Sequence, residues 1–173
     1  MIIAIHQPNY LPWIGYFRKI FTADYFIFLD DATFSKGSVT NRVRIMEDSK
    51  PVWLTIPANP PLGTSITDVE IAKPDWSQRH LNRLHNAYRT APCFSSVWMD
   101  VQEMFAELPN GNLGEINRYL IERLCAKIGI TSIFYRSFNI PNPKKAVSDD
   151  RLIDLILSIP GAKGYLSGSG GRK

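Results

Sequence analysis

The sequence predicts an α/β protein with a three-layer, Rossmann-like parallel sheet, a β-rich insertion and a helical middle segment. Two short apolar runs, residues 1–5 and 25–29, enclose a helical pattern, and strand, helix and strand in this order form a βαβ unit. Strand and helix alternate again from residue 133 to residue 166. A chain of 173 residues can bury the core of one domain, so residues 1–173 are predicted to be a single α/β domain.

The opening βαβ unit places the predicted site. Residues 1–5 are apolar without interruption, which is typical of a buried parallel strand. Pro12 suits the first position of a helix, and Asp30 and Asp31 end the second strand. A right-handed crossover puts the QPNY loop at the carboxyl edge of the sheet, where the two aspartates also lie. The apolar residues of the helix are predicted to share one face: Trp13, Ile14, Phe17, Ile20 and Phe21.

Residues 34–73 are predicted to form a β-rich insertion or lid. Two runs, residues 42–46 and 52–56, flank the polar segment EDSKP, which is typical of a β-hairpin. The Pro- and Gly-rich segment PANPPLGTS follows and excludes regular structure. Residues 67–71 alternate between polar and apolar side chains and are predicted to be a further strand.

Three helices are predicted for the middle of the chain. Asp75 is a candidate N-cap of the first helix, and Pro92 follows its end. Asn112 and Glu115 resemble a capping box for the third helix, and Gly129 suits the position after its last turn. The remaining predicted elements are a helix with apolar residues from 97 to 108, a strand at 133–135, a helix at 148–159 and a strand at 164–166.

Composition argues against several classes of function. The 20 basic and 16 acidic residues give a net charge of +4 that neither half of the chain concentrates, so no nucleic-acid partner is expected. No apolar run reaches the length of a membrane span and no secretory signal is visible, so we expect a cytoplasmic protein. Cys93 and Cys125 are predicted to be buried free thiols. His80 and His85 do not share a helical face, and no metal site is predicted.

The loop after the first strand is the strongest candidate site. His6 titrates near neutrality and suits acid/base catalysis, Gln7 and Asn9 present amides, and Tyr10 and Trp13 present rings for stacking. The alternative is a structural loop, in which prolines stiffen the chain and the aromatic residues cap the core. Because five such side chains occur within eight positions, the functional interpretation is favoured.

A second candidate cluster follows the second strand. Asp30 and Asp31 suit a ribose hydroxyl, a divalent cation or an ammonium group, while Lys36 and Arg42 suit a phosphate or a carboxylate, with Asn41 beside them. The alternative is a solvated loop that leads into a strand whose arginines face water.

A third candidate cluster is the segment LSGSGGRK, which follows the last predicted strand. Ser167, Gly168 and Ser169 are predicted to bind an anion through backbone N–H groups. The alternative is a flexible tail, which we favour for residues 170–173.

Three motifs in this chain resemble the WbqC-like proteins: IHQPNYLPWIGYF, FLDDATFSKGSVTNR and YLSGSGG. The resemblance covers residues 6–171. It implies a bacterial protein of surface-polysaccharide (O-antigen) biosynthesis that transfers glycine or a related acyl group.

A weaker similarity links the chain to the HIGH-type nucleotidyl transferases, such as pantothenate synthetase. Residues 13–16 occupy the place of their H-x-G-H signature, and residues 166–170 resemble their late serine-rich loop. Trp13 and Tyr16 stand where that signature has its two histidines. The similarity makes ATP a candidate cofactor, through an acyl-adenylate.

Our leading hypothesis is an acyl or aminoacyl transferase that acts on an amino sugar or nucleotide sugar. His6 is the predicted acid/base, and Asp30 or Asp31 would hold the amine or a ribose. Gln7, Asn9 and Tyr10 would orient the substrate. Lys36 and Arg42 would bind an anion. Two further hypotheses stay open: a non-catalytic module that binds a nucleotide or carbohydrate, and a scaffold of the same pathway. The sequence does not predict an oligomeric state.

Overall fold

The protein is built around a four-stranded parallel sheet. The computed structural model describes residues 1–143 and 146–168. The strands are β1 (Ile2–His6), β2 (Tyr25–Phe28), β3 (Arg42–Glu47), β4 (Lys50–Thr55), β5 (Ile133–Arg136) and β6 (Gly164–Leu166). The helices are α1 (Ile14–Thr22), α2 (Trp76–Tyr88), α3 (Phe94–Ala106), α4 (Leu113–Lys127) and α5 (Ser148–Leu157), with short 3₁₀ helices at Ile66–Asp68 and Ser137–Asn139.

The strand order of the sheet is β5-β2-β1-β6, and every pair is parallel. Strand β1 lies in the centre, with Ile3 opposite both Tyr25 of β2 and Tyr165 of β6. The chain moves outward from β1 through β2 to β5 and then returns to the other side of β1, so the order reverses between β1 and β6. In open α/β sheets, ligands bind at the carboxyl ends of the strands beside such a reversal.

Two apolar cores cover the two faces of the sheet. Ala4, Phe26 and Phe28 lie in the core that packs against α1 and the second half of α4. Ile3 and Ile27 lie in the core on the other face, with residues of α5. The alternation follows from the period of two along each strand. Helix, sheet and helix therefore form three layers, which confirms the predicted Rossmann-like α/β class.

The hairpin predicted within residues 34–73 is confirmed as an antiparallel pair of its own. Strands β3 and β4 pair from Arg42 opposite Thr55 to Glu47 opposite Lys50. The turn consists of Asp48 and Ser49, both with positive φ. A third apolar core joins the hairpin to helices α2, α3 and the first half of α4. The division of the chain into one domain with a lid stays a prediction.

Residues 67–71 do not form the predicted strand. A short 3₁₀ helix at Ile66–Asp68 occupies this place. The backbone N–H of Ile66 donates to the carbonyl of Ala32 at 2.9 Å, and that of Thr67 to the carbonyl of Asp30 at 3.1 Å. These bonds attach the segment to the chain leaving β2, so its alternating pattern reflects burial on one side and not membership of a sheet.

The start and the buried face of α1 also differ from the prediction. The helix begins at Ile14 and not at Pro12, because Leu11 has a positive φ of 41° and Trp13 is extended. Its buried residues are Tyr16, Phe17 and Ile20, while Ile14 and Phe21 are 80% and 72% exposed. The apolar face is therefore narrower than its sequence suggests.

The cysteines divide between the interior and the surface. Cys125 is buried as predicted, whereas Cys93 at the start of α3 is exposed. No helix in the described ranges is long and apolar enough to cross a membrane.

Candidate functional site

The loop between β1 and α1 is held by a second loop. The backbone N–H of Tyr10 donates to the carbonyl of Val39 at 3.1 Å. Asn117 on α4 is fully buried, and its side-chain amide donates to the carbonyls of Pro8 at 2.9 Å and Thr40 at 2.7 Å. The first two sequence clusters therefore meet, but through their backbones and a buried asparagine that was not predicted.

Tyr10 and Asn9 lie inside the protein and do not line a cleft. Both are 1% exposed. The hydroxyl of Tyr10 lies 2.7 Å from Nδ1 of His80, whose Nε2 lies 3.1 Å from the carbonyl of Thr55. A carbonyl only accepts, so Nε2 carries the proton and the Tyr10 hydroxyl donates to Nδ1. The expectation that Tyr10 stacks on a ligand is therefore wrong for this structure, because its ring belongs to the core.

His6 is partly buried at the end of β1 and packs against two aromatic rings of the next segment. Its ring centroid is 4.8 Å from that of Tyr16 and 6.0 Å from that of Trp13, which is 55% exposed. Nδ1 lies 3.1 Å from the carbonyl of Gln7. Nδ1 therefore carries the proton, and Nε2 has a free lone pair without a hydrogen-bond partner among residues 1–143 and 146–168.

The environment of His6 favours the neutral imidazole. Burial lowers its pKa, and the hydrogen bond to Gln7 opposes this effect only in part. The positive charge of Lys19 lowers the pKa further. A neutral ring with a free Nε2 can accept a proton at neutral pH, as a general base does.

Lys19 lies at the end of β1 and was not predicted from the sequence. Its ammonium donates to the carbonyl of Ile5 at 2.7 Å, and burial lowers its pKa to about 8. The residue lies three positions after Tyr16 and directly before Ile20, both buried. A cation on the buried side of an amphipathic helix is the signal that identifies it.

Asp30 is sealed in an ion-pair network. The side chain is 1% exposed and its carboxylate accepts from Nε of Arg136 at 2.6 Å, while the backbone N–H of Asp30 donates to the hydroxyl oxygen of Ser137 at 3.0 Å. The backbone N–H of Phe138 donates to the same carboxylate at 3.1 Å. The carboxylate thus joins β2 to the segment after β5.

Asp31 is partly buried and extends the same network toward α5. Its carboxylate accepts from Nη2 of Arg151 at 2.7 Å and from the hydroxyl of Ser137. Arg136 also pairs with Glu115 on α4 at 3.2 Å. The network therefore connects α4 to α5 across the carboxyl ends of β5 and β2.

Asp31 also lines a cleft of about 620 Å³ at this edge. The cleft lies between the ends of β1 and β2 and the start of α5. Gln7 and Asp31, predicted from separate motifs, both line it. The other residues that contribute polar groups are Thr33, Asn142, Ser148, Asp149 and Arg151.

Lys36, Asn41 and Arg42 are not brought to this cleft. The ammonium of Lys36 donates to the side chain of Asn59 at 3.0 Å, at the surface. Asn41 is buried, and its amide donates to the carbonyl of Ile56 at 3.0 Å. The guanidinium of Arg42 stacks on Trp53, 4.1 Å from the ring centroid. All three therefore support the hairpin region.

The third cluster begins where β6 ends. Leu166 lies opposite Ala4 of β1, so Ser167 and Gly168 continue toward the carboxyl edge beside His6. The hydroxyl of Ser167 donates to the carbonyl of Gly168 at 3.1 Å. Ser169 lies outside the described residues. Within the described ranges, no group of three His, Cys, Asp or Glu side chains is arranged to hold a metal ion.

The strand order and the two helical layers define a Rossmann-like α/β protein, with polar side chains at the carboxyl edge of its sheet. A model of the WbqC-like protein family matches residues 7–173, nearly the whole chain. The chain therefore belongs to the WbqC-like protein family.

One curated relative extends the comparison. "Uncharacterized protein Rv1507c" of Mycobacterium tuberculosis is 31% identical over 139 residues, which are 79% of this chain and 60% of the relative. The matched part of the chain thus spans about 60% of the length of that relative. No solved structure matches the chain at a significant level.

Proposed function

We propose that this protein transfers an acyl or aminoacyl group, of the glycyl type, to the amine of an amino sugar or nucleotide sugar in surface-polysaccharide (O-antigen) biosynthesis. The family resemblance motivates the substrate class. One observation supports the chemistry: His6 is neutral, with Nε2 free, at the carboxyl end of the central strand. An amine must lose a proton as it attacks an acyl carbon, and a neutral imidazole accepts that proton.

The step balances as an ordinary acyl transfer. The amine nitrogen forms a bond to the acyl carbon, Nε2 of His6 takes the amine proton, and the bond to the leaving group breaks with its electron pair. The imidazolium then returns the proton to the leaving group. In this proposal Gln7 and Asp31 orient hydroxyl groups of the acceptor from the cleft they line, and its amine extends to His6, which is not among the residues that line that cleft.

ATP stays a candidate for activating the acyl group. The similarity to nucleotidyl transferases rests on loop positions and not on the motif histidines, since Trp13 and Tyr16 replace both. Their ring systems pack around His6 at centroid distances of 6.0 and 4.8 Å. Neither ring carries a cationic donor for a phosphate.

The test is a transfer assay with the purified full chain and a UDP-linked amino sugar as acceptor. Glycine with ATP, and a glycyl thioester without ATP, are the two donors, and mass spectrometry detects the amide product. We expect His6→Gln to lower kcat by about 100-fold or more, the usual contribution of a general base. His85→Gln is the matched control, because His85 on α2 packs against Phe94 and Trp98 of α3, away from the sheet edge. Full activity of His6→Gln would contradict the proposal.

A binding module without catalysis is the second candidate. It is favoured by the aspartates, since Asp30 is committed to Arg136 and Asp31 to Arg151. Thermal shifts with nucleotides and nucleotide sugars separate the two candidates. A ligand that raises the Tm while no donor yields product would favour binding alone.

A further inference from the structure

Lys19 stands at the point where the ladder between β1 and β6 ends. The carbonyl of His6 accepts from the backbone N–H of Leu29, on the β2 side of β1. Backbone groups of successive strand residues point to opposite sides, so the carbonyl of Ile5 faces β6. The last β6 residue in the ladder is Leu166, opposite Ala4. The ammonium of Lys19 caps the Ile5 carbonyl just beyond that pair.

The position of this cation is not explained by an ion pair. Lys19 is partly buried, and among the described residues it forms no salt bridge with a carboxylate. The ammonium also lies over the ring of Tyr165 of β6, 5.9 Å from the ring centroid. A cation held away from water without a counter-charge is costly, and a carbonyl could be capped by a neutral donor instead.

The ammonium has donors to spare at this place. It carries three N–H groups, and the carbonyl of Ile5 takes one. Ser167 and Gly168 leave β6 on the same side of the sheet edge. No glycine-rich turn of the Rossmann type follows β1, because the QPNY loop carries prolines at residues 8 and 12. The ammonium of Lys19 on α1 is therefore placed to offer N–H donors where that turn would offer backbone N–H groups.

We propose that Lys19 binds an anionic oxygen group of the phosphate class at the reversal of the sheet, between the ends of β1 and β6. The inference deepens the proposed function, since such a group would belong to a nucleotide sugar or to ATP. Phosphate binding itself needs no acyl donor, so it is measured separately from transfer.

The test measures binding of inorganic phosphate, ADP and UDP to the full chain by titration calorimetry at pH 7. We expect Lys19→Met to raise the Kd of the nucleotide that binds best by at least 10-fold. Arg18→Met is the matched control, because Arg18 is the exposed neighbour on α1 and its replacement removes the same charge. We expect less than a 2-fold change for the control. We expect Lys19→Arg, which keeps the positive charge, to retain most of the affinity. That result would show that Lys19→Met loses affinity because it loses the charge and not because it fails to fold.

A pH series with ADP gives a second readout. Burial lowers the pKa of Lys19 to about 8, so its charge is lost between pH 7 and pH 9, and wild-type affinity falls in that range. The phosphates of ADP lose their last proton at about pH 6, so their charge is nearly constant above pH 7. The groups that face Lys19 are His6 on β1, which is neutral here, and Tyr165 on β6, whose pKa burial and Asp149 raise. Lys19→Met abolishes this pH dependence.

Each outcome decides the proposal. Equal affinity of wild type and Lys19→Met overturns it, and so does a wild type that binds none of the three anions at millimolar concentration. If UDP binds more tightly than ADP, the site is assigned to a nucleotide sugar. If ADP binds more tightly than UDP, it is assigned to ATP. If inorganic phosphate binds as tightly as both nucleotides, it is assigned to the phosphate group alone. Loss of nucleotide binding with transfer intact, or the converse, separates this inference from the proposed function.

Discussion

His80 is a histidine whose two ring nitrogens are both used inside the core. It accepts from Tyr10 and donates to the carbonyl of Thr55, so it joins the loop after β1 to helix α2 and strand β4. Burial lowers its pKa to about 4, and the positive charge of Arg83 contributes in the same direction. The imidazole must therefore be neutral for the loop to keep its place.

Acid is expected to destabilise the protein through His80. In the unfolded chain this histidine takes a proton below about pH 6.5, whereas in the folded protein it stays neutral until about pH 4. The unfolded state binds more protons in that window, so stability is complete above pH 6.5 and falls as the pH drops toward 4. The urea midpoints of wild type and His80→Gln, determined at several pH values, measure this pH dependence of stability. The variant is less stable at pH 7, and we expect its deficit to shrink by about 2 kcal/mol at pH 4.5.

The partly exposed His85 provides the comparison for that experiment. His85→Gln also removes one imidazole, but the ring of His85 packs against Phe94 and Trp98 of α3 and not against the loop after β1. A deficit of His80→Gln that is the same at both pH values would contradict the assignment of a neutral His80.

The individual site residues show what sequence can predict at this scale. His6, Gln7 and Asp31 reach the carboxyl edge because strand ends fix where the chain emerges. Whether a loop side chain faces inward depends on distant elements, and the buried hydroxyl of Tyr10 finds its acceptor at His80 on α2. Ser137 carries no motif, yet it joins both aspartates.

Among the elements, the β3–β4 hairpin has a turn that its sequence does not favour. Asp48 and Ser49 have φ values of 47° and 61°, the left-handed region that both central residues of a type I′ turn require. Asn and Gly adopt this region at lower cost than Asp and Ser. The hairpin is therefore less stable than its strands allow.

The double change Asp48→Asn with Ser49→Gly is expected to stabilise the protein. Relief of the positive φ at both positions should raise the free energy of unfolding by about 1 kcal/mol, measured by urea denaturation. Ser49→Ala keeps the Cβ atom and serves as the control, with no gain expected. A double variant no more stable than wild type would show that the turn is not strained.

The elements also show why some were predicted and others were not. The start of helix α4 is marked by Asn112, whose side chain accepts from the backbone N–H of Glu115. Its end is marked by Gly129, which has a φ of 75°. Those signals are local, and so is the turn of the hairpin. The segment at 67–71 has a local pattern of a strand but finds its hydrogen-bond partners at Asp30 and Ala32, which no local pattern reveals.

At the scale of the whole molecule, α4 connects two cores. Leu113, Ile116 and Leu120 lie in the core of the hairpin, α2 and α3, while Ile121 and Cys125 lie in the core on the sheet. One helix thus packs against both the hairpin region and the sheet. We expect the sheet and the hairpin region to unfold together.

Leu120→Ala tests this coupling. Removal of a fully buried leucine side chain should cost about 3 kcal/mol, because it loses burial and leaves a cavity. Hydrogen exchange should show equal loss of protection in β1 and β2 and in β3 and β4. Leu157→Ala is the control, since that leucine on α5 is largely exposed and should cost less than about 0.5 kcal/mol. Loss confined to β3 and β4 would show two independent units.

The pairing of β1 with β6 has a consequence for synthesis on the ribosome. Ile2 and Ala4 leave the exit tunnel long before their partners Gly164 and Leu166. Until then, one side of the central strand presents unpaired backbone groups, which invite strands of other nascent chains. Chaperone contact during translation should therefore concentrate on the first strand and end once residue 166 has emerged.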